Sequence, residues 1–116
     1  MEENCIFCKI VKGEIPSKKV YENEYVCAFY DVNPVTPVHI LIVPKIHIEN
    51  VNDLNEENIN YVSEIFKAIQ EVVRICNVKT SGYRIVNNNG DDAGQTVKHL
   101  HFHLLAGTSL GEKIIS

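Results

Sequence analysis

The order of apolar and polar positions along the chain predicts several strands and one long helix. Four segments alternate or are rich in β-branched residues and therefore predict strands: 19–31, 38–44, 82–87 and 96–106. The first of these contains a polar turn at residues 22–24, which divides it into two strands. Between the second and the third segment, apolar residues recur every three or four positions, and this spacing predicts a helix.

The helical segment has one predicted apolar stripe, which consists of Ile59, Val62, Phe66, Ile69, Val73 and Cys76. Asp53 and Glu56 have the spacing of a capping box, so we expect the helix to begin there. A shorter helical turn is predicted in CIFCKIVKGEIP, closed by Gly13 and Pro16. Strands, one long helix and further strands predict an α+β domain, with an antiparallel sheet and the helix on one face.

Length and composition exclude several classes of protein. The 116 residues suit one domain over 1–116, and 45% apolar with 22% charged residues is ordinary for a globular protein. The formal net charge is −4 and no basic cluster is longer than Lys18-Lys19, so we expect no nucleic-acid partner. No apolar run approaches the roughly 20 residues of a membrane helix, and the acidic N-terminus lacks a signal-peptide core. We therefore expect a cytoplasmic protein without a membrane partner.

Three of the five histidines lie at alternate positions within GQTVKHLHFHLLAG, residues 94–107. On a strand His99, His101 and His103 would share one face, and the apolar residues between them would cover the core. Neighbouring Cα atoms of the row would be about 6.6 Å apart and the outer two about 13 Å apart. One metal ion with bonds of about 2 Å could therefore bind two neighbours but hardly all three.

A row of imidazoles suits a substrate that carries a phosphate. A neutral imidazole can attack phosphorus and form a covalent intermediate, while flanking imidazoles orient it or protonate the leaving group. The preceding loop offers backbone N–H groups at Gly90 and Gly94 and side-chain donors at Asn88, Gln95 and Thr96. Such a loop can hold an anion. The alternative interpretation of the histidines is a solvated polar strand face.

The segment His99-Leu100-His101-Phe102-His103-Leu104-Leu105 resembles the His-φ-His-φ-His-φ-φ motif of the histidine triad (HIT) family, in which φ is apolar. Three further blocks resemble the Hint branch of that family in order and spacing: CIFCKIVKGEIPSKKVYENE, AFYDVNPVTPVHILIVPKIHI and NNNGDDAGQTVKHLHFH. The resemblance implies a HIT-like antiparallel sheet with one long helix and a short N-terminal helix. It also implies that the sheet continues across a homodimer.

The resemblance further implies a purine nucleoside phosphoramidase, which cleaves a nucleoside monophosphate from an amine leaving group. In that pattern His101 attacks the phosphorus and becomes nucleotidylated, and the chemistry requires no cofactor. The other catalytic histidines would be His99 and His103, which flank it, and His39, the family's fourth histidine.

A nucleotide site is implied by the same resemblance. Its residues would be Asp31 for the ribose hydroxyls, Asn88, Gln95 and Thr96 for the phosphate, and Phe7, Phe29 and Val32 for the base. For the last three, the alternative is an ordinary place in the core.

Cys5 and Cys8 form a Cys-x-x-Cys pair, which by itself is a weak motif. Structural zinc is bound by about four Cys and His ligands. Bacterial relatives that begin with the same CIFC segment resemble a zinc-bearing subgroup, which implies a structural zinc site at Cys5, Cys8, His47 and His99. The alternative is a pair of free thiols on a short helix.

Two other functions stay open. One is a dinucleoside polyphosphate hydrolase of the same family, whose members often continue with Pro-Arg after the triad. Here Ala106-Gly107 stands at that place, which favours the phosphoramidase. The other is a nucleotide-binding regulatory protein with little turnover. Some Hint proteins have an aromatic residue in the C-terminal tail, whereas this chain ends in GTSLGEKIIS, so the leaving group stays open.

Overall fold

The β-branched run that begins at Val38 forms the central strand of a five-stranded antiparallel sheet. A computed structural model describes residues 4–115 of the chain. The strands are β1 (Lys19–Glu22), β2 (Val26–Tyr30), β3 (Val38–Pro44), β4 (Tyr83–Val86) and β5 (Phe102–Ala106). Their order in the sheet is β1-β2-β3-β5-β4, and all neighbours are antiparallel. The predicted α+β architecture is confirmed.

Two helices cover opposite faces of this sheet. The long helix α2 (Asn60–Ile75) packs on the face that includes Ile40, Ile42 and Leu104. The short helix α1 (Ile6–Val11) packs on the other face, where Phe7 and Ile10 contact a cluster that contains Cys27, Phe29, Leu41 and Val43. Alternate residues of β3 therefore belong to two separate cores. Within residues 4–115, no helix has both the length and the apolar character needed to cross a bilayer.

The long helix begins later than predicted. Asp53 ends a short 3-10 turn (Val51–Asp53), and α2 begins only at Asn60, so the predicted capping box is wrong. The intervening turn is held by two asparagines instead. Asn58 Oδ1 accepts from the backbone N–H of Asn55 at 2.8 Å, and Asn55 Oδ1 accepts from that of Asn58 at 3.1 Å. These local bonds compete with a helix over the same residues.

The predicted apolar stripe is only partly correct. The buried residues of α2 are Ile65, Ala68, Ile69, Val72 and Val73. Ile59 and Phe66 are 46% and 45% exposed. Small Ala68, which the prediction passed over, is completely buried, so the helix turns a slightly different face to the sheet than the large residues alone suggest.

The last strand is shorter than the predicted segment 96–106. Its ladder with β3 extends from Ala106 only to Phe102, which pairs with Ile42. Before that point the backbone finds other partners, since the N–H of Leu100 donates to the carbonyl of Ile48 at 2.6 Å. His103 therefore lies inside the ladder, whereas His99 and His101 come just before it.

The residue after β5 has to be a glycine. Gly107 has φ +92°, and a Cβ atom there would lie 2.9 Å from the Cβ of Pro37, which precedes β3. Both the backbone conformation and the close approach would strain any larger side chain at this position. The preceding Ala106 is 1% exposed and pairs with Val38 and Tyr83.

Candidate active site

His101 is buried and its tautomer is fixed by the backbone. Its side chain Nδ1 lies 2.7 Å from the carbonyl oxygen of His99. Because a carbonyl only accepts, Nδ1 carries the hydrogen and donates it, and Nε2 keeps its lone pair. Burial lowers the pKa of His101 below its usual value, so the ring is neutral at pH 7. A neutral imidazole with a free Nε2 lone pair can act as a nucleophile.

Asn87 holds the backbone of the same histidine. Its Nδ2 donates to the carbonyl of His101 at 2.9 Å, and its Oδ1 accepts from Nδ2 of Asn89 at 2.6 Å. Asn89 Oδ1 in turn accepts from the N–H of Val51 at 2.8 Å. Of the three consecutive asparagines only Asn88 was predicted to have a role, because residue type alone does not distinguish Asn87 from its neighbours.

His39 and His103 form a second hydrogen-bonded pair beside His101. The N–H of Val35 donates to Nδ1 of His39 at 3.1 Å, so the ring hydrogen of neutral His39 is on Nε2. This Nε2 lies 2.9 Å from Nδ1 of His103 and donates to it. The hydrogen of His103 is then on its Nε2. Burial lowers the pKa of His103 to about 4, and its ring centroid lies 5.1 Å from that of His101.

Asp31 lies at the edge of this pair. Its Oδ2 is 3.4 Å from Nε2 of His39, and its Oδ1 accepts from the N–H of Asn33 at 2.8 Å. Asp31, His39 and His103 each offer an atom within 4.8 Å of the others, a spacing that a metal ion could use. The hydrogen-bond pattern argues against a metal here, because Nε2 of His39 already carries a hydrogen.

A different set of side chains fits a metal ion. Donor atoms of Cys5, Cys8, His47 and His99 lie within 4.8 Å of one another. Nδ1 of His99 is 3.3 Å from Sγ of Cys5 and 3.5 Å from Sγ of Cys8, and Nδ1 of His47 is 3.3 Å from Sγ of Cys8. A sulfur and a nitrogen on one tetrahedral zinc ion are about 3.6 Å apart. Zinc therefore suits both the types and the spacing of these four donors.

The orientation of His99 also fits a metal ligand. Its Nε2 donates to the carbonyl of Pro44 at 2.9 Å, which leaves the lone pair on Nδ1, the atom that faces the thiols. Metal-binding histidines usually donate their second ring N–H in this way. Burial lowers the pKa of His99 to about 4 and keeps the ring neutral. The side chain is completely buried, so the interpretation as a solvated histidine row is wrong for this residue.

The loop before the histidines is braced internally rather than open. Gln95 is 4% exposed, and its Nε2 donates to the carbonyls of Glu49 and Val97 at 2.7 and 3.1 Å. Its Oε1 accepts from the N–H of Gly90 at 2.9 Å, and the N–H of Gly94 donates to the carbonyl of Asp91. The two glycine N–H groups that we expected to face an anion are thus engaged within the loop.

The remaining predicted nucleotide residues have different surroundings. Asn88 is half-buried, and Thr96 is exposed and lines a cleft of about 470 Å³ together with Cys5 and His47. Phe7 and Phe29 are buried and pack edge to face, with ring centroids 5.6 Å apart. Val32 is 89% exposed. The three predicted base residues therefore do not share one environment.

Comparison with known proteins identifies the family. Residues 12–110 match the pattern described as the HIT domain. The chain belongs to the HIT family. A HIT family hydrolase from Clostridium thermocellum is 50% identical, with coverage of 99% of this chain and 100% of that chain and a TM-score of 0.97. A histidine triad protein from Clostridium difficile is 47% identical, with coverage of 97% and 98% and a TM-score of 0.94.

Similar curated HIT proteins include an enzyme. The purine nucleoside phosphoramidase of Escherichia coli K12 is 40% identical over 111 residues, which are 96% of this chain and 93% of that protein. The protein Hit of Bacillus subtilis is 44% identical over 112 residues, 95% of this chain and 75% of that protein. The chain is thus a HIT-family hydrolase, and the fold and family predicted from the histidine segment are confirmed.

Proposed function

We propose that this HIT hydrolase is a purine nucleoside phosphoramidase, which releases a nucleoside monophosphate from an amine through a nucleotidyl-histidine intermediate. The observation that carries the proposal is the 2.7 Å bond from Nδ1 of His101 to the carbonyl of His99, since it leaves Nε2 free to attack. The phosphoramidase of Escherichia coli, at 40% identity, supports the same substrate class.

The reaction would proceed in two displacements at phosphorus. Nε2 of His101 attacks the phosphorus, the P–N bond breaks, and its electron pair stays on the amine nitrogen, which takes a proton from solvent. The Nε2–H group of the adjacent His103 can donate a hydrogen bond to this nitrogen or to a phosphoryl oxygen. Water then attacks the phosphorus of the intermediate, which releases the nucleoside monophosphate and restores His101.

The predicted nucleotide residues remain proposals. Asp31, with a side chain 19% exposed, would hold the ribose hydroxyls, and Asn88 and Thr96 would contact the phosphate. Gln95 would shape the loop, because its amide is already bonded to backbone groups. The exposed Val32 is a surface that a purine base could cover.

We propose that zinc binds Cys5, Cys8, His47 and His99 and has a structural role. Four protein ligands would leave no open position for substrate or water. The ion would link the segment around α1 to the segment that carries His99. His101 stays free of metal, as the proposed attack on phosphorus requires.

A cytoplasmic homodimer is part of the proposal, with no nucleic-acid or membrane partner. Two exposed apolar groups support self-association through α2 and an edge strand. They are Ile59 and Phe66 on the helical side, and Tyr83 and Ile85 on the edge strand β4. Apolar residues of this kind on a sheet edge are suited to pairing with a second chain.

The proposal is tested with adenosine 5′-phosphoramidate. We expect the wild type to release AMP, and His101→Ala to lose at least about a hundredfold in kcat while it still binds AMP. Isothermal titration with AMP provides the control for folding of the site. If the wild type binds AMP but releases none from the phosphoramidate, the proposal is wrong. A dinucleoside polyphosphate is then the next substrate, and a regulatory nucleotide-binding role follows if this also is not cleaved.

A further inference from the structure

Phe7 lies between the proposed zinc site and the proposed nucleophile His101. It lies on α1 between Cys5 and Cys8, and its ring meets that of His101 edge to face, at 5.1 Å between centroids and 81° between planes. The same ring meets that of His99 at 5.9 Å and 78°. Phe7 thus contacts both His101, the proposed nucleophile, and His99, one of the four proposed zinc ligands.

His99 provides a second connection. Its Nδ1 faces the two thiols, while its backbone carbonyl accepts the hydrogen bond from Nδ1 of His101. Its Nε2 is held by the carbonyl of Pro44. A metal ion on Nδ1 would therefore fix the ring of His99 at both nitrogens, next to the carbonyl that sets the tautomer of His101.

We propose that Phe7 and His99 are positioning residues, through which the proposed zinc site holds the imidazole of His101 in its reactive orientation. The inference rests on the proposed function, in which His101 is the nucleophile. It also gives Phe7 a role different from base recognition. With 6% exposure and with ring contacts to Phe29, His99 and His101, Phe7 is part of the packing beneath the histidines.

The contacts of His101 with His99 and with Phe7 restrain different properties of its imidazole. The carbonyl of His99 fixes which nitrogen carries the hydrogen, and the ring of Phe7 limits rotation of the imidazole. Loss of the metal would remove one restraint on the segment 5–8, which carries Phe7, and would leave the ring of His99 held only at Nε2, by the carbonyl of Pro44. A reacting atom that is misplaced by about 1 Å can cost about a hundredfold in rate, so small movements are measurable.

The first test separates positioning from base binding. In zinc-loaded protein we expect Phe7→Leu to lower kcat for adenosine 5′-phosphoramidate by about tenfold or more, with KM changed by less than about twofold. Ile10→Val, which trims the same helix and the same core, should leave kcat unchanged. An increase in KM at unchanged kcat would show that Phe7 binds the base and would overturn the inference.

The second test does not depend on turnover. Proton NMR should show a slowly exchanging, downfield Nδ1–H of His101, assigned by its absence in His101→Ala. We expect chelation of zinc to broaden or shift this signal, zinc to restore it, and Phe7→Leu to shift it in the zinc-loaded protein. A signal that is the same with and without zinc and in Phe7→Leu would overturn the inference.

The two tests also separate this inference from the proposed function. Zinc-loaded wild type that shows the zinc-dependent signal but cleaves no phosphoramidate contradicts the proposed function and supports the positioning. Wild type that cleaves the substrate equally well with and without zinc, under conditions where circular dichroism shows it folded, contradicts the positioning alone.

Discussion

Nε2 of His39 lies 2.9 Å from Nδ1 of His103. The two residues come from the neighbouring strands β3 and β5, where the register pairs His39 with Leu105 and His103 with Leu41. Because the N–H of Val35 already donates to Nδ1 of His39, hydrogen bonds run in one direction, from Val35 through His39 to His103. The side chain at position 39 therefore has to donate.

A pair of substitutions at position 39 tests this direction. His39→Gln keeps an N–H donor at a similar reach, whereas His39→Leu fills the space without one. We expect His39→Leu to lower kcat by about tenfold or more and His39→Gln to lose clearly less, since only the glutamine can hold the tautomer of His103. Steady-state kinetics on adenosine 5′-phosphoramidate measures both. Equal losses in the two variants would contradict the donor role.

Asn87 is expected to matter for activity although it faces a backbone carbonyl. Asn87→Leu removes the donor to the carbonyl of His101 and should lower kcat several-fold, with a loss of about 1 kcal/mol in the free energy of unfolding. Asn23→Ala is the matched control, because Asn23 also bonds backbone groups, those of Tyr25 and Val26, in the turn between β1 and β2. It should cost comparable stability without a change in kcat. The measurements are urea unfolding and steady-state kinetics.

Cobalt can test the ligand set directly. Co²⁺ bound tetrahedrally by two thiolates and two imidazoles should give visible d–d bands and thiolate charge-transfer absorption in the near ultraviolet. We expect Cys8→Ser to weaken the charge-transfer band, and Cys76→Ser, which changes the thiol of the C-cap residue that follows α2, to leave it intact. Elemental analysis of protein purified without chelator or His-tag is the complementary check. Zinc below about a tenth per chain would count against the site.

The pH dependence of kcat/KM should be shifted towards acid. Burial lowers the pKa of His101 and lowers that of His103 to about 4. Protonation of Nε2 of His101 removes the nucleophilic lone pair. A lowered pKa means that this protonation occurs only at lower pH. We therefore expect kcat/KM to stay level as the pH falls through about 6.5, the ordinary value for histidine, and to decline only below it. An acid limb at or above 6.5 would contradict the buried, neutral site.

The same shift at His103 predicts acid sensitivity of the fold. Its pKa is about 4 when folded and about 6.5 when unfolded, so the unfolded chain binds more protons between these values. The free energy of unfolding should thus fall as the pH decreases from about 6.5 to about 4. His103→Gln should reduce this dependence in urea titrations, since glutamine does not titrate. An unchanged slope would contradict the prediction.

Self-association is tested at Phe66. This side chain is 45% exposed in the single chain and packs edge to face on Phe102 at 5.6 Å. If it lies in a dimer interface, Phe66→Glu should shift the mass measured by light scattering from dimer to monomer, because burial of an unpaired carboxylate is costly. Thr80→Glu, at an exposed position after α2, adds the same single negative charge and is the matched control. A wild-type monomer at all concentrations would contradict the homodimer.

The sheet was predictable because its strands have strong local patterns. The run from Val38 to Pro44 is apolar at nearly every position, as expected for a strand that is covered on both faces, and both of its ends were placed correctly. The start of α2 was not predictable by the same means. Asp53 and Glu56 have the spacing of a cap, but the bonds between Asn55 and Asn58 decide where the turn ends.

The site was predictable where side chains carry the chemistry and unpredictable where the backbone does. The resemblance to a zinc-bearing subgroup of the family implied the four donors that the structure brings together. The carbonyls of Pro44 and His99 and the N–H of Val35 fix three tautomers, yet these groups are the same in every residue and leave no trace in the sequence. In the loop at Gln95 the sequence suggested donors for an anion, but these donors are already bonded to backbone groups of the same chain.

The close approach of Gly107 to Pro37 changes what the residues after the triad can reveal. Any side chain at position 107 would push against the segment that leads into β3, and Ala106 is enclosed between two strands. The identity of both residues is therefore dictated by how this chain packs, whichever bond it cleaves. The dipeptide Ala106-Gly107 is therefore explained by packing and does not indicate the substrate. Differences in substrate among such hydrolases should be sought at surfaces that a ligand can reach.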